Sequence, residues 1–208
     1  MFQTFQKLKN LNLVIDDGAV MGIFELKSKV RFLKRKNPQL KCVVIDYLQL
    51  MSGTQVKDRP RHEEIAEISR GLKAIARELE ITLIALSQIN RNIESREDKR
   101  PNLGDLRESG SIEQDADVII FLYRDDVYAQ RELLAKKKKE EKEGKFDHSL
   151  LDIEEKPIET AELIVAKNRN GATTTILTEF NKQFTRFEER AKHQEIKKVQ
   201  GATADFAL

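Results

Sequence analysis

Three polar positions, Asp46, Gln88 and the pair Asp16-Asp17, each stand just past a short apolar run. A buried parallel strand delivers polar side chains to the carboxyl edge of its sheet in this way, and ligands of open parallel sheets bind there. The residue types suit phosphate chemistry. A carboxylate such as Asp46 can hold Mg²⁺ on a nucleotide's phosphates, and an amide such as Gln88 can sense a γ-phosphate or orient the attacking water. An apolar run followed by Asp is also how an ordinary strand enters a turn, and the pattern taken alone is compatible with both.

A second candidate group is cationic. Lys167 and Arg169 precede the turn signal Asn170-Gly171 at the end of a β-like run. Two residues apart, they would share one face of a strand. Such a pair could stabilise phosphate charge on a neighbouring subunit, as arginine fingers do in trans, or it could be a plain basic turn. Two long polar loops add further charge. Ser52–His62 carries Lys57, Arg59 and Arg61, and 91–111 carries Arg91, Arg96, Lys99, Arg100 and Arg107 against nearly balancing acids. Neither loop holds an aromatic side chain, so base stacking is not the expected binding mode there. If the loops grip nucleic acid, they do so through phosphates and without sequence preference; otherwise they are solvated surface. His62, His148 and His193 lack metal-ligand spacing.

The elements that must position these groups alternate between strand-like and helix-like, which argues for an α/β layer architecture with a largely parallel sheet. Strands are expected at Leu11–Ile15, Val43–Asp46, Ile81–Leu86 and, buried, at Val118–Leu122. Further β-like runs lie at Ala161–Ala166, Thr173–Phe180 and Phe184–Phe187, closing the chain with a β-hairpin. Helices are expected at Gly22–Lys36, stopped by Asn37-Pro38, and at Glu63–Glu80, where Ile65, Ile68, Leu72, Ile75 and Leu79 recur at steps of three and four. Residues 89–111 read as a long polar loop. The lysine-rich stretch within about 129–156 reads as a solvated helix or disordered insertion, and 189–208 as a polar tail.

The chain's 208 residues allow one large domain or two small ones. Charged residues make up 35% and hydrophobic ones 39%, enough apolar content for a core. A net charge of +2 leaves any acidic partner to local patches. The single Cys42 excludes an internal disulfide framework and reads as a small core residue. No apolar run approaches the roughly 20 residues that span a bilayer. A soluble, cytoplasmic protein that does not enter the membrane is expected.

Taken together, several segments strongly resemble the bacterial replicative DNA helicases of the DnaB type. They are Val43-Val-Ile-Asp46-Tyr-Leu-Gln-Leu-Met51, Glu67-Ile-Ser-Arg-Gly-Leu-Lys-Ala-Ile-Ala-Arg77 and Ile84-Ala-Leu-Ser-Gln88. In the same order follow Asp98-Lys-Arg-Pro-Asn-Leu-Gly-Asp-Leu-Arg-Glu-Ser-Gly110, Ile112-Glu-Gln-Asp-Ala-Asp117 and Val165-Ala-Lys-Asn-Arg-Asn-Gly171. The resemblance covers about residues 11–188. It implies a RecA-like fold, a mostly parallel twisted sheet flanked by helices, in a motor domain that forms a hexameric ring with copies of itself. It implies ATP and Mg²⁺ as cofactors and ATP-driven 5′ to 3′ movement on single-stranded DNA, with primase and a helicase loader as partners. By the same resemblance Asp46 looks like the Walker B aspartate on Mg²⁺, and Gln88 like the glutamine at the γ-phosphate. Arg107, Glu108 and Gly110 fall in the loop that lines the DNA channel. Lys167 and Arg169 match the cations offered to the neighbour's ATP.

The chain departs from the family pattern upstream. The Gly-x-x-x-x-Gly-Lys-[Ser/Thr] phosphate loop is absent; the one Gly-Lys pair, Gly144-Lys145, is followed by Phe146. The family's catalytic glutamate and helical amino-terminal domain are missing too, and the lysine-rich insertion is longer than the family leads one to expect. The chain is therefore expected to be the carboxyl-terminal part of a longer helicase, lacking the P-loop strand and helix. Alone it should expose apolar strand faces, fold poorly or self-associate, and show no ATPase activity. Two other readings stay open: a non-catalytic module that joins helicase rings or binds a loader, and a RecA-type recombinase or clock ATPase. The Asp105-Leu-Arg-Glu-Ser-Gly110 run argues against the latter.

Overall fold

A computed structural model of the chain describes residues 11–18, 21–54, 59–142 and 156–190. They fall in two compact units, 1–119 and 120–208. The parts of the lysine-rich insertion beyond Lys142, the Gly144-Lys145 pair, Lys57 and the tail from 191 lie outside the described residues.

The first unit is built on helix α1 (Ile23–Lys36), strand β1 (Cys42–Ile45), helix α2 (Arg61–Leu79) and strand β2 (Thr82–Ala85). β1 and β2 pair in parallel, Cys42 opposite Thr82 and Ile45 opposite Ala85. The apolar stripes of both helices meet the strands in one core, with Ile23, Val30, Ile68, Leu72 and Ile75 at its centre. The helices approach closely at Gly71, where a Cβ would stand 2.6 Å from Ile23 Cγ1. A main-chain bridge between Gly22 and Ser52 stitches the start of α1 to the segment after β1.

Only one face of the β1–β2 pair is covered. Val43, Ile45, Leu83 and Ala85 pack on the core, whereas Val44 is 62%, Ile84 47% and Leu86 47% exposed. The expected exposure of apolar strand faces is thus present. Cys42 shares the uncovered side and is exposed, which corrects its reading as a core residue: strand residues alternate faces, and its neighbour Val43 took the inner one. Leu11–Ile15, expected as a strand, has no ladder partner among the described residues and is exposed along its length. The expected loop at 89–111 is more ordered than its polarity suggests. It holds 3-10 turns at Arg91–Ser95 and Leu103–Ser109 and leads into the short helix α3 (Gly110–Asp115), because Ile93, Pro101 and Leu106 give it buried anchors.

The second unit is a sheet of order β3-β4-β5-β6, entered by β3 (Val118–Tyr123). β4 (Ile158–Asn168), β5 (Thr174–Asn181) and β6 (Arg186–Glu189) form an antiparallel meander, with Val165 opposite Thr174 and Phe180 opposite Phe187. β3 alternates rather than being buried throughout: Ile119, Phe121 and Tyr123 face inward, while Val118, Ile120 and Leu122 are exposed. After β3, helix α4 (Asp125–Lys142) carries the start of the lysine-rich stretch.

Candidate functional site

The parallel pairing carries Asp46 and Ser87-Gln88 to the same end of the first unit's sheet. The last main-chain bond of the pair runs from Leu86 N–H to the Ile45 carbonyl at 2.9 Å. Asp46 follows at once; its peptide bond to Tyr47 is cis. The 3-10 turn Leu48–Leu50 then folds back, and Leu48 N–H donates to the Leu86 carbonyl at 2.9 Å. Leu48 is buried, so the turn is fixed from inside. Asp46 and Gln88 are both exposed, and Asp46 makes no ion pair among the described residues. Their main chains are held while their side chains stay uncommitted.

Gln49, given no role by the sequence, and Arg61, counted there only among the loop's cations, organise this edge. Gln49 donates its side-chain amide to Ser87 Oγ (3.0 Å) and the Gln88 carbonyl (3.3 Å), and accepts from Gln88 N–H (3.2 Å). Arg61, at the start of α2, donates to the carbonyls of Gln49 (2.9 Å) and Met51 (3.2 Å) while pairing with Glu64. The available signal was a polar residue between two leucines, three positions past Asp46.

The first polar loop spends its described cations on its own helix. Arg59 pairs with Glu67 and reaches Glu63 at 3.5 Å. Glu64 accepts from Gly53 N–H at 2.7 Å, and Glu67 binds Thr54. The Gly53 bond, with Arg61 beside it, holds Glu64 below its ordinary value despite partial burial. Thr54, then Arg59, does the same for Glu67. Arg59 and Arg61 are therefore engaged within the fold, where the sequence left phosphate contact and solvated surface both open.

In the second loop Arg96 donates to Asp105 at 2.8 Å and to the Arg100 carbonyl at 3.0 Å. Asp105 also accepts from Asn102 N–H at 2.8 Å, and Asn102 caps Gly104 in return. This capping box starts the turn that presents 107–110. The Arg107 and Glu108 side chains are not among the described ones. Gly110 is exposed, and a Cβ there would meet nothing within 4 Å. Ser69 and Lys73 of α2 tie down Asp115 and Asp117 beyond it.

In the second unit, Lys167 lies in β4 and Arg169 in the following turn. Asn168 shapes that turn: its side chain accepts from Asn170 N–H and donates to the Ala172 carbonyl, both at 3.4 Å. A Cβ at Gly171 would fall 2.7 Å from Asn168 Nδ2, so a larger residue in the tight turn read from Asn170-Gly171 would displace the amide that shapes it.

No group of three or more His, Cys, Asp or Glu residues that could hold a metal occurs among the described residues. A Mg²⁺ that keeps several waters and takes its other oxygens from phosphates needs only one or two carboxylates. The exposed Asp46, without an ion pair among the described residues, fits that role.

Comparison with known proteins identifies the family and the fold. The family model "DnaB-like helicase C terminal domain" matches residues 1–189. The replicative DNA helicase DnaB of Helicobacter pylori is 45% identical over 98% of this chain and 44% of its own length. That of Geobacillus stearothermophilus is 43% identical over 86% of this chain and 34% of its own. The chain thus spans less than half the length of these relatives. Among solved structures, an ATPase domain superposes with a TM-score of 0.73 at 40% identity, covering 91% of this chain and 58% of that one. A DnaB-like replicative helicase described with its interactions with primase gives 0.72 at 40% identity, over 90% and 39%. These likenesses make the α/β architecture that of RecA-like helicase ATPase domains. The chain belongs to the DnaB-like helicase C-terminal domain family.

Proposed function

We propose that the chain is the carboxyl-terminal part of the ATP-driven motor of a cytoplasmic replicative DNA helicase. The motor assembles head to tail into a hexameric ring, encircles single-stranded DNA and moves 5′ to 3′, with primase and a loader as its protein partners. The observation that carries this reading is the pair Asp46 and Gln88, side chains exposed, at the carboxyl ends of adjacent parallel strands within a family match that spans residues 1–189.

The residue roles in this proposal are those implied by the family resemblance. Asp46 would hold Mg²⁺, which when bound would supply charge neutralisation at the nucleotide's phosphates. Gln88 presents an amide to the γ-phosphate or the attacking water. Lys167 and Arg169 offer positive charge to the nucleotide of the adjacent subunit. Arg107, Glu108 and Gly110 line the channel, where the open surface at Gly110 allows close approach of a DNA backbone. The phosphate cradle is supplied by a part of the motor that this sequence does not contain.

The test is Asp46→Asn in the complete ring. Losing the metal ligand removes several kcal/mol of charge stabilisation, so DNA-stimulated ATP turnover should fall about 10²- to 10⁴-fold across a Mg²⁺ titration. Turnover within about threefold of the parent would overturn the assignment.

A further inference from the structure

We infer that Gln49 is the positioning residue for Gln88, joining the proposed metal-binding strand end to the proposed γ-phosphate contact as one unit. The inference rests on the reading of Asp46 and Gln88 given above.

The regular β1–β2 ladder ends before either functional residue, with Ile45 opposite Ala85. Beyond Leu86 the chain has no regular structure up to Asn90, and nothing in the ladder fixes Gln88. Gln49 takes over. Its amide accepts from Gln88 N–H at 3.2 Å and donates to the Gln88 carbonyl at 3.3 Å and to Ser87 Oγ at 3.0 Å. One side chain thus satisfies both main-chain groups of Gln88, as the next residue of a paired strand would. Only an amide side chain combines the required donor and acceptor at this length. Methionine matches the volume but supplies no donor and only a weak acceptor, and glutamate supplies the acceptor without the donors.

Gln49 is itself held rigid. Its turn is anchored by buried Leu48 and by Leu48 N–H on the Leu86 carbonyl, and its carbonyl accepts from Arg61 at 2.9 Å. The clip touches the Gln88 main chain and leaves the side chain exposed, which suits a part that aims another group. Catalytic geometry is sensitive to this: a misplacement of about 1 Å can cost about 10²-fold in rate.

The experiment compares Gln49→Met, Gln49→Asn, Gln88→Ala and the double variant Gln49→Met/Gln88→Ala in the complete ATPase, with steady-state kinetics and amide exchange at Gln88. Gln49→Met should lower kcat about 10- to 100-fold, leave the ATP KM within about twofold, and speed exchange at the Gln88 amide. Gln49→Asn, too short to span the gap, should behave like Gln49→Met. The double variant should be no slower than Gln88→Ala alone, because the clip has nothing left to aim. Additive losses, a change in KM alone, or an unchanged kcat in Gln49→Met would overturn the inference. Normal turnover in Gln88→Ala would instead overturn the reading of Gln88 as a catalytic contact. In that case unaltered Gln88 exchange in Gln49→Met would also remove the clip.

Discussion

Asp46 and Asp126 both follow β-strands with apolar cores, β1 and β3, yet the structure puts them to opposite uses. Asp46 ends a strand, stays exposed and pairs with no cation among the described residues. The Asp126 side chain is only 10% exposed and is enclosed by partners. Arg124 grips it with two bonds, at 2.7 and 3.2 Å, and Lys182 reaches it at 3.4 Å. The same Arg124 lies over the Phe180 ring at 3.8 Å, and Lys182 extends to Glu159. Burial pushes the Asp126 carboxyl up, but Arg124 and Lys182 outweigh it and hold the group below its ordinary value. A carboxylate whose charge is already answered stabilises the fold. One whose main chain is fixed and whose charge is unanswered remains available for a ligand.

Perturbations should separate these two classes, and the largest effect belongs to the cations read as acting in trans. Arg169→Ala in the complete ring should lower ATP turnover about 10³- to 10⁵-fold while size-exclusion chromatography still shows the assembled ring. A near-normal rate would remove Arg169 from that role. Next come the aspartates themselves. Asp126→Asn leaves Arg124 and Lys182 without their shared anion and should cost about 2 kcal/mol in urea unfolding. Asp46→Asn, with no partner to lose, should stay within about 0.5 kcal/mol of the parent. Equal costs would erase the distinction.

Gly71→Ala tests the packing beneath the first unit. The added Cβ would meet Ile23 at 2.6 Å, and overpacking of this kind costs about 1–3 kcal/mol; a neutral result would mean that α1 shifts freely. The smallest effect is one of pH. Because the folded Asp126 carboxyl titrates below its ordinary 3.8, the unfolded chain binds its proton first as pH falls. Its stabilisation is complete above that ordinary value and disappears as pH drops through the folded one. Acid unfolding curves should show this loss in the parent and not in Asp126→Asn.

The unequal legibility of the two loops has the same origin. Periodicity located α2, because its apolar residues recur at helical steps whatever surrounds them, and β5, because Asn170-Gly171 announces the turn before it. Charge counting left Arg59 and Arg61 open between phosphate contact and solvated surface. Their acidic partners Glu63, Glu64 and Glu67 lie three to eight positions on in α2, and the helical backbone brings these charges together. Arg96 belongs to a loop whose acids nearly balance its cations, and folding selects Asp105, nine positions on, as the partner that closes the loop.

The local order of residue types by itself determined the alternating elements, the polar strand ends at Asp46 and Gln88, the tight turn after Lys167, and a set of motifs specific enough to place the family. Those properties depend on neighbours within a few positions. The tertiary structure alone decided that Cys42 faces outward, that Asp126 is ion-paired while Asp46 is not among the described residues, and that Gln49 grips the main chain of Gln88 across 39 positions of sequence. Such facts depend on which distant groups the folded backbone brings within hydrogen-bonding reach, and no local pattern encodes that distance.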